Sequence, residues 1–485
     1  MFQLNMRFVF KMLGLMHVIE SFFVLCATGV AFYYGGDDRG PLLASFAIML
    51  CVGLGFGLAG RNAGARYTGR RESSLAVTLT WLLLTFCGMM PYLLGGYAGN
   101  VTDAFYEAMA GFTTTGSTIF RDVEALPHGI LFWRSLTQWQ GGVGIIVFTV
   151  ALLPLVGGGA NQLFDAEMSG IMREHFLPRI TQIAKRFFGI YLLITCVLTL
   201  LLWAGPMNLF DAVNHAMTTV SSGGYSTKND NVAFWGSSYI YYIICIFMFV
   251  AAMNFTLIYF LFSGRSHRIA KNEETRYLAL FIIIPTLLMT AILFAGNREA
   301  DLESLFREAL FQVTSLITTT GYVVSDYAAW GTFFSLIVLI LMTVCGCAGS
   351  TSGGLKMGRF IILLKNTQNE FKKLAHPNAV IPVRMNGQVI PSFIVQRVQT
   401  FAFIYLVLII VGCAILLVDG LPFEESIGLA VSAVGNVGPA LGRYTGAAFS
   451  DLSAVVKWTL AFLMLVGRLE IFTVLALFLP GFWRR

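Results

Sequence analysis

Charge is scarce in this chain. Of 485 residues only 12% are Asp, Glu, Lys or Arg, where a soluble domain carries roughly 25%. So little charge cannot clothe an ordinary water-soluble globule. Histidine is scarcer, six residues without metal-ligand spacing. The eight cysteines suggest no disulfide framework, since most lie inside apolar runs, where a free thiol behaves as a small hydrophobe. Cys345 and Cys347 form a C-x-C, but a metal site needs two more ligands nearby and the sequence offers none. Neither a nucleophile with its base nor a metal cluster is legible, which argues against an enzyme. No glycine-rich nucleotide motif occurs, so any nucleotide sensing must come from a partner.

What is abundant is apolar. The chain is 56% hydrophobic and 14% aromatic, with mean hydropathy +0.73. Runs such as "VTLTWLLLTFCGMMPYLLGGY" at 77–97 and "RFFGIYLLITCVLTLLLWAG" at 186–205 have the length that a bilayer core requires, about 20 residues. Ten spans are expected, near 12–33, 41–60, 75–97, 131–155, 186–204, 238–262, 277–295, 333–364, 398–418 and 455–479. The first follows Arg7 and Lys11 as a signal peptide would, but it is too long and lacks a small-residue cleavage site, so it reads as retained. The N-terminus, 61–72, 157–186, 264–276, 356–397 and the Arg484–Arg485 tail hold 23 of the 32 Lys and Arg. By the positive-inside rule these segments, and both termini, are expected to be cytoplasmic. The net charge of +6 is therefore sorted by membrane side and is no signal for nucleic acid.

Four short strips interrupt the oily pattern on the opposite side: "FTTTGST" at 112–118, "VSSGGYST" at 220–227, "ITTTGYVV" at 317–324 and "VGNVGPAL" at 434–441. An acid stands thirteen residues before one glycine in each: Asp103 with Gly116, Asp211 with Gly224, Glu308 with Gly321, Glu425 with Gly438. Each acid opens a stretch of good helix formers. Ten helical residues cover roughly 15 Å, half the hydrocarbon thickness. The unit is span, half-helix, strip, span, four times over, with glycine intervals of 108, 97 and 117 residues. The expected organisation is two extra N-terminal spans (1–72) and four repeats: 73–160, 161–265, 266–375 and 376–485. One "TTTG" between apolar segments is usually a plain turn; four in register are not.

Non-helical backbone at membrane depth survives only where it lines a cavity or is buried in protein. Four half-helices meeting on one axis point partially negative C-termini at the membrane centre, which favours a cation. Rings of strip oxygens can replace an alkali ion's water. The candidate ligands are Thr114, Thr115 and Gly116; Ser222, Gly223 and Gly224; Thr319, Thr320 and Gly321; Asn436, Val437 and Gly438. Asn436 and Val437 break the hydroxyl pattern, so backbone is expected to be the main ligand. Acids at the helix starts are expected to make the outer mouth negative.

Two features are candidate barriers. "CGCAGSTSGGLKMG" at 345–358 carries too many glycines for a continuous helix; the alternative is a small-residue helix contact. Its candidate gate residues are Gly346, Gly349, Ser350, Thr351, Ser352, Gly353 and Gly354. Arg468, near the middle of the last span, is costly in lipid and must face a cavity or a partner. It either projects into the pore or forms a salt bridge to another span. Glu20 reads as a structural partner. Glu107 and His215 lie in half-helices but form no proton-carrying chain.

Span–pore helix–span units ending in single-glycine T-T-T-G-like loops resemble the Trk/Ktr/HKT superfamily of potassium transporters. The two extra N-terminal spans and the length resemble its TrkH-type bacterial members. The resemblance covers nearly the whole chain. It implies an all-α polytopic membrane fold with four span–pore helix–span repeats in pseudo-fourfold arrangement around one pore. It also implies a K⁺ filter at the four strips, with Rb⁺ accepted, and a homodimer in the bacterial inner membrane. A cytosolic nucleotide-binding regulatory ring of the TrkA type is implied as partner, and membrane lipid as surroundings. The 345–358 segment resembles that family's intramembrane loop beneath the filter, and the family places an arginine where Arg468 stands. In plant relatives a Ser in place of the first filter glycine goes with sodium transport; here all four glycines are present, which favours K⁺. Lys365, Lys372, Lys373 and Arg384 either dock an acidic partner or merely obey the positive-inside rule. The function implied is channel-like potassium uptake; the alternative is an H⁺- or Na⁺-coupled potassium symporter.

Overall fold

The computed structural model describes residues 4–62, 70–156, 180–262, 271–296, 301–446 and 448–483, with Gly264, Ile269 and Glu299 singly between them. Much of the basic segments 61–72 and 157–186, part of 264–276, and the Arg484–Arg485 tail lie outside the described residues. Among those described, the fold is helical apart from one antiparallel hairpin, β1 (Arg384–Met385) with β2 (Gln388–Val389).

Among the described residues seven long helices are unbroken or nearly so: Met6–Tyr34, Arg39–Gly60, Arg71–Leu94, His128–Val156, Ile180–Trp203, Glu273–Gly296 and Ser392–Val418. Even the 22 residues of Arg39–Gly60 cover about 33 Å, enough to cross a bilayer core. The first two pack against each other through glycine. A methyl on Gly14 would lie 2.4 Å from Gly57 N, and one on Gly60 would lie 2.3 Å from Lys11 N. Close backbone approach of this kind gives helices in lipid their van der Waals contact.

Three further stretches expected as spans are broken. Two of these breaks correct the sequence expectation, which took 238–262 and 455–479 as single helices. The first is Ser238–Ala251 followed by Phe255–Leu261, bent by 110°; the second is Ala454–Arg468 followed by Ile471–Phe478, bent by 114°. The cause of the first is tertiary. Phe255 N donates to Gly349 O at 3.1 Å, and Ala252 O accepts from Cys347 N at 2.9 Å. The segment 345–356 thus satisfies groups that would cost several kcal/mol each if left bare in lipid. At the second bend Glu470 adopts a left-handed φ of 61°, and its carboxylate is held by Arg359 at 2.5 Å.

In the remaining broken span, helix stops at Val344 and resumes at Met357. Cys345, Gly349, Gly354 and Lys356 between them have φ of 59°, 73°, 70° and 69°. Right-handed helix cannot contain such residues.

Four short helices complete the fold: Val101–Phe112, Leu209–Val220, Leu302–Ile317 and Phe423–Gly435. Asn100 and Asn208 cap the first two. Each side-chain oxygen accepts from the backbone N of the acid three residues on (Asp103, Asp211), both at 2.8 Å, and each amide donates back to that acid's carboxylate. This reciprocal capping is why an acid stands at that offset. Glu425 is likewise the third residue of its helix. The third helix departs from expectation, because Glu308 lies in its second turn. The start role falls to Asp301, which caps Ser304 N at 3.1 Å, and Glu303 pairs with Arg307 one turn on at 2.6 Å, extending the helix to 16 residues.

Candidate functional site

The four short helices end in strips with one repeated backbone. Thr114, Ser222, Thr319 and Asn436 hold φ between 53° and 59°, and two residues later Gly116, Gly224, Gly321 and Gly438 hold φ between 76° and 105°. The anchoring bonds repeat too. Ala110 O accepts from Thr115 N and Gly116 N (2.9 and 3.2 Å), Thr218 O from Gly223 N and Gly224 N (2.8 and 3.4 Å), and Ser315 O from Thr320 N and Gly321 N (3.0 and 3.2 Å). In the fourth strip Val437 N donates to Ser432 O at 3.0 Å, and Gly438 N donates to the Ser432 hydroxyl at 3.0 Å.

The strips close into a ring. A methyl on Gly116 would lie 1.9 Å from Gly223 O; on Gly224, 1.9 Å from Thr320 O; on Gly321, 2.0 Å from Val437 O; on Gly438, 2.4 Å from Thr115 O. First touches second, second third, third fourth, and fourth first. The four strips singled out in the sequence therefore close on one another in a cycle, and a side chain fits at none of the four glycines. The Asn436 amide nitrogen is committed, donating to the Thr115 hydroxyl at 3.0 Å and to Met464 O at 2.9 Å, while its Oδ1 accepts no hydrogen bond among the described residues. Asn tolerates the left-handed backbone better than most residues, which accounts for its place among Thr and Ser.

Sequence reasoning missed what braces the ring. Glu107 and Arg134 form a buried ion pair at 2.8 Å. Glu107 also accepts from Thr118 Oγ1 (3.0 Å) and Ile119 N (2.9 Å), and Arg134 stacks 4.2 Å over the Tyr225 ring. Gln138 donates to Gly223 O at 2.7 Å and accepts from Tyr225 N at 3.0 Å. Tyr322 OH meets Thr218 Oγ1 at 2.6 Å, so the third strip holds the second helix. A signal was available in the tyrosines that follow Gly224 and Gly321, and in an Arg within an apolar span.

The segment 345–356 lies across the end of the ring nearest the helix C-termini. Thr351 Oγ1 meets the Ser222 hydroxyl at 2.7 Å, Ser352 Oγ donates to Thr318 O at 2.9 Å, and Gly353 N donates to Thr319 Oγ1 at 3.3 Å. A methyl on Gly353 would lie 2.3 Å from Gly435 O. Three of the four strips are touched. Arg468 reaches the fourth side: it donates to Thr351 O and to Gly141 O, both at 2.7 Å, and Gly141 packs against Phe112 at the root of the first strip. Its position corrects the expectation of a mid-helix residue, because it is the last residue before the 114° bend. Below it remains a cavity of only about 10 Å³, lined by Ser352, Gly353, Gly354, Lys356, Phe401, Gly467, Arg468 and Glu470, room for about one water.

Two of the four acids expected to make the mouth negative are paired with a cation, and a third is bound by a hydroxyl. Asp103 pairs with Lys457 at 2.6 Å, Asp211 accepts from Thr227 Oγ1 at 2.6 Å, and Glu425 pairs with Arg443 at 3.1 Å. Glu20 lies beside the Gln140 amide, which in its satisfied orientation donates to both carboxylate oxygens. His215 is held between Asp211 O (2.8 Å) and Ser226 Oγ (3.0 Å).

Residues 43–484 match a family described as TrkH, cation transport protein. The chain is 34% identical over 484 residues to the Trk system potassium uptake protein TrkH of Escherichia coli K12, covering 99% of this chain and 100% of that one. It is 31% identical to TrkG of the same organism, covering 99% of each. The crystal structure of the potassium transporter TrkH from Vibrio parahaemolyticus superposes with a TM-score of 0.90 at 32% identity, over 99% of this chain and 100% of that one.

Proposed function

The chain belongs to the TrkH family of cation transport proteins, and from that premise we propose that it takes up potassium through the four-strip ring, in a channel-like manner. K⁺ sheds its water and is coordinated by ring oxygens, chiefly backbone, from Thr114, Thr115, Ser222, Gly223, Thr319, Thr320, Asn436 and Val437, with the glycines allowing the chain to bend that way. The four helix C-termini add partial negative charge where the bare ion sits. Rb⁺, similar in chemistry, is accepted. The observation that carries this reading is the cyclic contact of each strip glycine with the next strip's carbonyl.

Conduction is barred by the 345–356 loop, with Gly346, Gly349, Ser350, Thr351, Ser352, Gly353 and Gly354 as its working residues, and by Arg468. The loop obstructs sterically, and the guanidinium opposes a cation. A cytosolic nucleotide-binding ring of the TrkA type releases the bar, and the protein works as a homodimer in the bacterial inner membrane with both termini cytoplasmic. A proton-coupled route would need an uncommitted acid on the ion path, and Glu107 is fully engaged by Arg134, Thr118 and Ile119. Purified protein in liposomes tests the proposal. The reversal potential should follow the K⁺ gradient alone; a shift with a proton or Na⁺ gradient would assign the coupled mechanism instead.

A further inference from the structure

The loop 345–356 and the hairpin 384–389 flank the helix Met357–Ala375, and both are bonded to one turn of another helix. Asn386 and Gly387 turn the hairpin with φ of 50° and 81°, the pair of left-handed residues a two-residue turn demands. Val383, Met385 and Ile390 are buried, so the hairpin is seated rather than loose. Asn386 N donates to Glu273 Oε1 at 3.0 Å, and Glu273 N donates to Asn386 Oδ1 at 2.8 Å. Lys365 bonds the other Glu273 oxygen and donates to Arg384 O at 2.8 Å. The next residue, Glu274, points elsewhere: it is 7% exposed and accepts from Ala348 N, inside the loop, at 2.8 Å.

Glu273 and Glu274 are the first two residues of the helix Glu273–Gly296. Successive helical residues are turned about 100° from one another, so one carboxylate faces the hairpin and its neighbour faces the loop. Acids in a first turn stabilise a helix wherever they point. That does not account for Glu274, which is buried against a loop amide and against Gly358, where a methyl would lie 2.9 Å from its Oε1. Ala348 stands three residues from Thr351, the residue gripped by Ser222 and Arg468.

We propose that this turn is a lever: displacing the hairpin moves Glu273, draws Glu274 off Ala348 and loosens the loop from the strips. Glu273 and Glu274 are positioning residues for the barrier. The inference rests on the pore reading above and adds the input by which a partner at the hairpin would act.

The test uses full-length protein in liposomes, ⁸⁶Rb⁺ uptake without partner, and hydrogen exchange of the 345–356 amides. Glu274→Ala should raise uptake several-fold and speed exchange in the loop. Glu273→Ala, which leaves Ala348 its acceptor, should do both to a similar degree. The double variant should exceed neither single by much, as coupled sites require. Glu274→Gln keeps one acceptor oxygen and should give a smaller increase than Ala. If Glu273→Ala leaves the loop's exchange and the uptake at parent level, or if the two effects add in full, the lever does not exist. Arg468→Ala separates the two readings. If it raises uptake while the Glu273 variant is silent, only the lever fails. If neither parent nor Arg468→Ala passes Rb⁺, the pore reading falls and the lever with it.

Discussion

At the scale of single residues, the ring holds Thr114, Ser222 and Thr319 in left-handed backbone, which costs roughly 1–2 kcal/mol per non-glycine residue. The strain is retained because each strip is over-determined by bonds to its own helix and contact with the next strip. Gly321 has less freedom still, since a side chain would meet Val437 O at 2.0 Å. Gly321→Ser should therefore displace a ring carbonyl and lower the K⁺/Na⁺ flux ratio by about tenfold or more, about 1.4 kcal/mol of discrimination; an unchanged tracer ratio would sink the assigned register. Arg468 is the other decisive residue. A guanidinium about 5 Å from a cation, at an effective dielectric near 20, opposes it by about 3 kcal/mol. Arg468→Ala should raise partner-free flux on the order of 100-fold. Arg468→Lys keeps the charge but cannot hold Thr351 O and Gly141 O with one planar fork. Low flux in Lys beside high flux in Ala would mean that charge is the barrier, and high flux in both would mean that the fork is. Loss of flux in Ala, with normal insertion, would make Arg468 purely structural.

At the scale of elements, the acid thirteen residues before each glycine was a true structural signal for three helices, because Asp103, Asp211 and Glu425 sit at the third helical position, where an N–H needs satisfying. It misplaced the start of the third helix, since nothing in the spacing weighs Asp301 against Glu308. The bends at Ala252 and Leu469 were illegible for another reason. At the first, freed backbone groups are met by residues about one hundred positions away, as Gly349 is from Phe255; at the second, the distant partner is Arg359 on the Glu470 carboxylate, and composition carries no such information. The brace between the first short helix and the span His128–Val156 is testable as an element contact. Arg134→Met strands the buried Glu107 carboxylate and should destabilise the folded protein by about 3–5 kcal/mol, read as a fall in its melting temperature in detergent. Glu107→Gln with Arg134→Met, which strands no charge, should recover part of the loss. An equal loss in the double variant would show that packing, not charge, holds the joint.

At the scale of the whole molecule, four diverged repeats make one ring because each supplies only one of its four strips. No repeat alone can satisfy its strip, and closure fixes their order. A symmetric device would have four equal inner ends. Here the third repeat contributes the 345–356 segment and the fourth contributes Arg468, so these contacts break the symmetry that the ring of strips keeps. If the ring conducts as a channel, the reversal potential in liposomes should move by about 59 mV per tenfold change in K⁺ and stay fixed between external pH 6 and 8; a pH-dependent shift would require a titrating group on the ion path. By itself the sequence determined the membrane setting, the four-fold unit and the strip positions, because hydropathy, helix length, helix starts and glycine are local properties that repeat along the chain. The tertiary structure alone decided the bends, the buried Glu107–Arg134 brace, the pairing of Asp103 with Lys457, and the contact of the loop and Arg468 with the ring. Each of these is a bond between residues distant in the chain, and its partner becomes definite only when the repeats have closed around their axis.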